Sequence, residues 1–417
     1  MYVLYEVLLY LVLLLTLPYF LLTGILRGKY LANVSRRMGF FRGAAEAHDL
    51  WIHAVSVGET LAARPVIDRI RRLRPGTSIV FTTTTLTGQT QARRLYPEAT
   101  VTYFPFDFAF AVRRFLDHHQ PRVFATMETE IWPNVTRIAR ARGLRLLLAN
   151  GRISDRSFPR YRLFRGIVAG VLRKYDRILA REETDRTRFV SIGAPDAIVE
   201  VSGNVKFDYE PDETPLEIAP RLEQLIGHRH VLVLGSTAEG EDEALLPEVE
   251  RLIAEHDAFV VIAPRKPERF ELVAGLLATS TLRFVRRSEL GDDVREADVL
   301  LLDTLGELAK IYRYATAAFV GGTLAPVGGH NPIEPAAAGV PVCFGPSMSN
   351  FREIAQLFLR NEAAAEVATA EEAIDFAARM FDDAYLRAAW GERARRTVEQ
   401  NRGASERTAR RIVELLA

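Results

Sequence analysis

The sequence predicts an α/β protein of two doubly wound, Rossmann-like domains behind an N-terminal hydrophobic membrane anchor. Three observations carry this. Short apolar runs of strand length alternate with amphipathic stretches, the pattern of a parallel sheet with helices on both faces. The alternation breaks over residues 208–222, "DYEPDETPLEIAPRL", where three prolines and several acids leave little regular pattern, so this stretch reads as a linker, after which the alternation restarts. At 417 residues, 48% of them hydrophobic, the chain is long enough for two such cores.

From Val7 to Leu26 no side chain is charged, with Glu6 before the run and Pro18 inside it. About twenty apolar residues can cross a bilayer, or lie partly embedded if the proline breaks the helix. A cleaved signal peptide is the competing reading. The extreme N-terminus has no Lys or Arg and no clear small-residue cleavage site follows, so residues 1–28 read as an anchor. Arg27, Lys29, Arg36, Arg37 and Arg42 follow the run, which places the globular body on the cytoplasmic side and near anionic headgroups.

The first domain, 29–207, carries strand-like runs at 50–55, 78–83, 100–104, 123–127, 144–149, 177–180 and 198–201. The second, 223–417, carries them at 230–234, 258–262, 282–285, 299–302, 317–320 and 340–344. Ligands of such sheets bind beyond the carboxyl ends of the strands, so the cleft between the domains is the expected active site. The arginine-rich stretch 384–416 reads as helix with a solvated face, and a formal charge of +1 gives no reason to expect a nucleic-acid partner. Cys343 lies in an apolar run and reads as core; as the only cysteine it forms no internal disulfide. No HExxH, Cys pair, DxD triplet or histidine cluster is present, so neither metal nor cofactor is expected, and His53 and His330 read as hydrogen-bonding groups. The absence of a Walker A loop, and of GxGxxG after the first strand, argues against a P-loop ATPase or a standard NAD enzyme.

Several strand ends carry candidate chemistry. "HAVSVGET", 53–60, leads from strand to helix with Glu59 in the first turn. Glu59 either complements the helix dipole or acts as a general base, and the helix end should hold it ionised while weakening its basicity. "ATMETEIWPN", 125–134, ends a strand in Glu128 and Glu130; burying either unpaired is costly, so one is expected to cap the next helix and the other to function. Lys206 in "SGNVKFD" could offer positive charge to a leaving phosphate or a substrate carboxylate, or be a solvated lysine near a hinge. In the second domain, loops containing Ser236, Arg265, Gly306 and Asn331 should converge on one rim. Arg265 could grip phosphate or carboxylate, and Gly306 should open a helix with Glu307 behind it. "GGTLAPVGGHNPIEPAAAGVPV", 321–342, reads as strand end, glycine loop and helix: Asn331 as N-cap, Pro332 at the first helical position, Glu334 completing a capping box, and the loop's N–H groups facing one point as for a phosphate.

Two similar domains with such a loop resemble the GT-B architecture of nucleotide-sugar glycosyltransferases. "HAVSVGE", "METEIWPN", "NGRISDRSF", "GNVKFD", "APRKPERF" and "GGHNPIEPAAAGVPV", together with the anchor, resemble the 3-deoxy-D-manno-octulosonic acid (Kdo) transferase family over almost the whole chain. The resemblance implies metal-independent, inverting transfer of Kdo from CMP-Kdo to a lipid A precursor, at the cytoplasmic face of the inner membrane. It also implies an acceptor-binding first domain and a CMP-sugar-binding second one. By position it implies Glu59 as general base and Glu128 and Lys206 as transition-state stabilisers. Pro264, Arg265, Leu305, Gly306, Glu307, Asn331, Pro332, Ile333 and Glu334 fall on its CMP-binding segments. A UDP-sugar transferase or epimerase on the same fold, and an inert membrane-anchored scaffold, are the rival expectations.

Overall fold

Parallel strands alternating with helices build both halves of the protein, seen in a computed structural model that describes residues 2–27, 31–210, 214–291 and 296–417, with the backbone alone at 3–4, 17–27 and 31–32. Lys29 of the basic run and residues 211–213 of the expected linker lie outside the described residues. The chain divides into two units, Met1–Asp208 with Arg402–Ala417, and Tyr209–Asn401.

The first unit holds β1 (Leu50–His53), β2 (Ile79–Thr83), β3 (Thr100–Tyr103), β4 (Val123–Met127), β5 (Arg145–Gly151), β6 (Arg177–Ala180) and β7 (Val199–Val201), in the order β3-β2-β1-β4-β5-β6-β7. Every described pair is parallel. Strand side chains alternate between faces, so Trp51 joins Phe104 and Phe124 in one core layer while Leu50 and Ile52 enter the other. That second layer also takes Ala404, Ala409, Ile412 and Leu416 from the last helix, Ala404–Leu416. The expectation that 402–417 belongs to the second domain is therefore corrected, because its apolar stripe is buried against the first sheet. Asp208 caps this helix across the sequence, accepting from the Gly403 and Ser405 N–H groups at 2.5 and 2.6 Å. The arginines of the tail are not all solvated: Arg407 donates to the Ser202 carbonyl and Arg411 pairs with Glu200.

The N-terminal helix, Tyr2–Arg27, is tied to the same unit. Tyr5 donates to Asp107 at 2.8 Å, and Glu6 accepts from the Ala109 N–H at 3.0 Å and from Asn134 at 2.7 Å. Val7, Leu8, Leu11, Val12, Leu14 and Leu15 remain exposed. Among the described residues no helix is long and apolar enough to cross a membrane.

The second unit holds β8 (Val231–Thr237), β9 (Phe259–Pro264), β10 (Phe284–Arg286), β11 (Val299–Leu301), β12 (Ala317–Val320), β13 (Val342–Phe344) and β14 (Ala365–Glu366), in the order β10-β11-β9-β8-β12-β13-β14 and again parallel. Only β14, two residues at the sheet edge, has no counterpart in the predicted runs. Cys343 is buried on β13. The expected linker is largely absorbed into this unit: Leu216, Ile218 and Leu222 are buried in its core, and Ala219–Ile226 is helical. Prolines marked a break in pattern there, but the apolar side chains between them still pack.

Parallel pairing brings the carboxyl ends of neighbouring strands to one edge of each sheet. Both candidate sites lie on such edges.

Candidate functional site

In the first unit the helix Val57–Leu73 starts four residues after β1, and Glu59 is its third residue. The Val55 N–H donates to its Oε2 at 2.7 Å and the Ser56 hydroxyl to its Oε1 at 3.1 Å, so Glu59 does satisfy the helix start. Those bonds favour the charged form. Burial and the nearby Glu128 carboxylate oppose them and push the Glu59 carboxyl up to about 7. The expectation of weakened basicity is thus reversed, because desolvation outweighs the helix end. A carboxylate fixed in this way and half-titrated near neutral pH is suited to taking a proton from a hydroxyl.

Glu128 follows β4 with φ of 61°, a left-handed conformation that a side chain adopts at some cost in strain. The Arg181 guanidinium, placed at the end of β6, donates to its Oε1 and, at 3.2 Å, to the Asn150 carbonyl. Burial alone would raise the Glu128 carboxyl, but Arg181, Lys206 and Arg152 hold it below the usual carboxylate range. The Asn150 side-chain oxygen accepts from the Val205 N–H at 3.2 Å, which docks the short helix Val205–Asp208 and so fixes where Lys206 starts. Glu59, Glu128 and Lys206, named separately from the sequence, therefore share one electrostatic neighbourhood.

Arg152 and Arg181 were missed. Each directly follows a strand, a signal present in "NGRIS" and "LAREE". Neither Glu128 nor Glu130 caps the helix Pro133–Ala141, contrary to expectation. Asp107 does so, accepting from the Asn134 and Val135 N–H groups at 3.1 and 2.7 Å. Glu130 instead accepts from the Trp132 indole at 2.9 Å, and burial raises its carboxyl. His53 is a core group: fully buried, stacked on Phe104 at 3.8 Å, bonded to Thr82, and pushed down to about 3 by burial.

In the second unit β11, β9, β8 and β12 are neighbours, so the loops bearing Gly306, Arg265 and Asn331 leave one edge, as predicted; Ser236 lies not in a loop but inside the end of β8, with φ of 59°. Pro264 closes β9 and is buried; Arg265 after it is exposed, with its N–H bonded to the Thr237 carbonyl at 3.0 Å. Leu305 is exposed and Gly306 has φ of 93°, two residues ahead of the four-residue helix Leu308–Ile311 rather than at its first position. Glu307 is engaged by Arg287 at 2.9 Å and by Thr304.

The Asn331 side chain accepts from the Ile333 N–H at 3.1 Å, as a cap should. The helix, Ile333–Ala337, begins one residue later than predicted, after Pro332, and Glu334 bonds the Asn331 side chain at 3.1 Å rather than the backbone. Five helical residues add little dipole. Burial raises the Glu334 carboxyl against the Asn331 bond and the Arg265 charge; burial and the same arginine push His330 down to about 4. Arg265 thus acts on both His330 and Glu334, and the buried His330 Nε2 has no hydrogen-bond partner among the described residues.

The glycine loop needs a larger correction. Its N–H groups at Gly322, Thr323, Leu324 and Ala325 do face one point, but the Glu241 carboxylate occupies it. Gly321 is required by close packing: a Cβ there would lie 2.5 Å from the Ser236 carbonyl oxygen.

Comparison with known proteins follows the same lines. A family profile described as 3-deoxy-D-manno-octulosonic-acid transferase (kdotransferase) matches residues 32–209. The 3-deoxy-D-manno-octulosonic acid transferase of Bordetella pertussis is 36% identical over 383 residues, covering 89% of this chain and 88% of that protein. The Haemophilus influenzae protein of the same name is 32% identical over 385 residues, covering 91% and 90%. Among solved structures, a glycosyltransferase from Rickettsia africae (TM-score 0.57, 12% identity, 89% of this chain and 98% of that one) shares the fold. So does a UDP-GlcNAc 2-epimerase from Neisseria meningitidis (TM-score 0.58, 12% identity, 88% and 99%). The two parallel-sheet units resemble GT-B glycosyltransferases in fold.

Proposed function

This chain belongs to the 3-deoxy-D-manno-octulosonic acid transferase family, and we propose that it transfers Kdo from CMP-Kdo to a lipid A precursor by a single inverting displacement. The observation that carries the mechanism is the Glu59 carboxyl, pushed up to about 7 beside the ion-paired Glu128. Glu59 takes the proton of an acceptor hydroxyl as that oxygen forms a bond to the anomeric carbon of Kdo. The bond from that carbon to the CMP phosphate breaks, and CMP leaves with the electron pair. One displacement inverts the centre and needs no covalent enzyme intermediate.

Glu128, with its guanidinium and ammonium neighbours, is read as stabilising charge that develops in the transition state, and Lys206 as one source of the compensating positive charge. Pro264 and Arg265, Leu305–Glu307 and Asn331–Glu334 are read as the CMP contacts. The charge of a single departing phosphate is assigned to Arg265, and activity without a divalent ion or other cofactor is part of the proposal. The exposed leucines of the N-terminal helix and the basic residues after it support a membrane anchor that keeps the body on the cytoplasmic face of the inner membrane, where an acylated acceptor would remain in the bilayer.

The test is detergent-solubilised full-length protein and its Glu59→Gln variant, given CMP-Kdo generated in situ and a tetraacylated lipid A precursor in EDTA, with the lipid weighed by mass spectrometry. Wild type should add whole Kdo units and the variant none. A wild type that adds nothing yet binds CMP would refute the acceptor; binding of UDP in preference to CMP would refute the donor.

A further inference from the structure

Glu241 opens the helix Glu241–His256 and is 1% exposed. Its Oε1 accepts from the N–H groups of Thr323 (2.8 Å), Leu324 (2.8 Å) and Ala325 (3.2 Å), and its Oε2 from those of Gly322 (2.7 Å) and Ala238 (2.9 Å). Five convergent backbone donors are what a loop offers a bound phosphate. Here the anion is part of the chain.

An ordinary helix cap bonds its own first turn, whereas four of these five donors lie 81 to 84 residues away, in the loop after β12. From that nest the order propagates along the loop. The Gly329 N–H donates to the Gly322 carbonyl at 2.8 Å, and Gly345 and Ser347 N–H groups donate to Thr323 at 2.8 and 2.9 Å. Gly322, at φ of 68°, lies so close to His330 that a Cβ would come within 2.9 Å of the imidazole. The place of Gly328–Asn331 is thereby set by Gly322 and Thr323, and theirs by Glu241.

We propose that Glu241 is a positioning residue for the donor nucleotide: a built-in anion that keeps the loop 321–331 in its binding shape before the nucleotide arrives and denies the four loop N–H groups to the donor phosphate. This rests on the reading that Asn331–Glu334 contact CMP. A residue that fixes those contacts in advance lowers the ordering cost of binding.

The experiment uses the full-length protein in detergent, as wild type, Glu241→Ala and Glu241→Gln, with CMP affinity by calorimetry, steady-state kinetics, and hydrogen exchange of the 322–325 amides. In Glu241→Ala the affinity should fall about ten- to hundredfold, the scale of losing charge-assisted hydrogen bonds, with KM for the donor rising more than kcat falls and the four amides exchanging faster. Added formate, which fits the vacated place, should restore both affinity and protection, a response that general loosening of the fold would not give. Glu241→Gln, which keeps the shape but turns an amide donor towards N–H groups, should weaken CMP binding without formate rescue, and it carries the test if the alanine variant does not fold.

Unchanged CMP affinity in the variants, or amides as protected as in wild type, would overturn the proposal. If wild type itself does not bind CMP while the amides still open in Glu241→Ala, the proposal falls through the assignment of 331–334 and not through the nest.

Discussion

Glu59 shows how one carboxylate can serve structure and chemistry together. Its two hydrogen bonds hold it at the helix start, and its burial beside Glu128 sets its proton affinity. A base must be deprotonated to act, so kcat/KM should rise with pH at unit log slope below about 7 and level off above it. Glu128→Gln removes the negative charge that raises Glu59, so the residual activity of that variant should show the same limb displaced to lower pH. A limb that stays in place or moves upward would remove Glu128 from the tuning of Glu59. The sequence made Glu128 visible because a carboxylate at a strand end is costly to bury unpaired, and Glu59 because it falls in the first turn of a helix that follows a strand. It hid Arg152 and Arg181 among the many arginines of the chain. Glu241 was hidden more deeply, since four of its five partners lie more than eighty residues away and backbone donors leave no mark on residue type.

Strands were the most legible elements, because a parallel sheet buried on both faces writes continuous apolar runs; a two-residue edge strand, Ala365–Glu366, is too short to do so. Helix starts were read less well, for a shared reason. The helices at Pro133 and Ala404 are capped by Asp107 and Asp208, neither of which is a sequence neighbour of the helix it caps. Local cap motifs find only local caps. Asp208→Ala should therefore destabilise the first unit by about 1–2 kcal/mol, the upper part of the range for a lost cap, as measured by urea unfolding. A change near zero would show that the last helix holds its place by apolar packing alone.

For the molecule as a whole, the proposed membrane anchor rests on few residues. Leu14 and Leu15 are 67% and 78% exposed on a helix whose first turns Tyr5 and Glu6 fasten to the first unit. Changing both leucines to glutamate should release the protein from anionic vesicles in a sedimentation assay while leaving CMP binding intact; continued sedimentation would move the anchor elsewhere. The two-domain architecture was legible from the repeated alternation, but the division of the chain was not, because the final helix has the amphipathic pattern of any surface helix and its sequence does not say which sheet it covers. That return has a consequence for synthesis. The unit that begins first is finished last: all of residues 209–401 are made before Ala404, Ile412 and Leu416, so until then its second core layer has only the part supplied by the helix Val57–Leu73 and its neighbours.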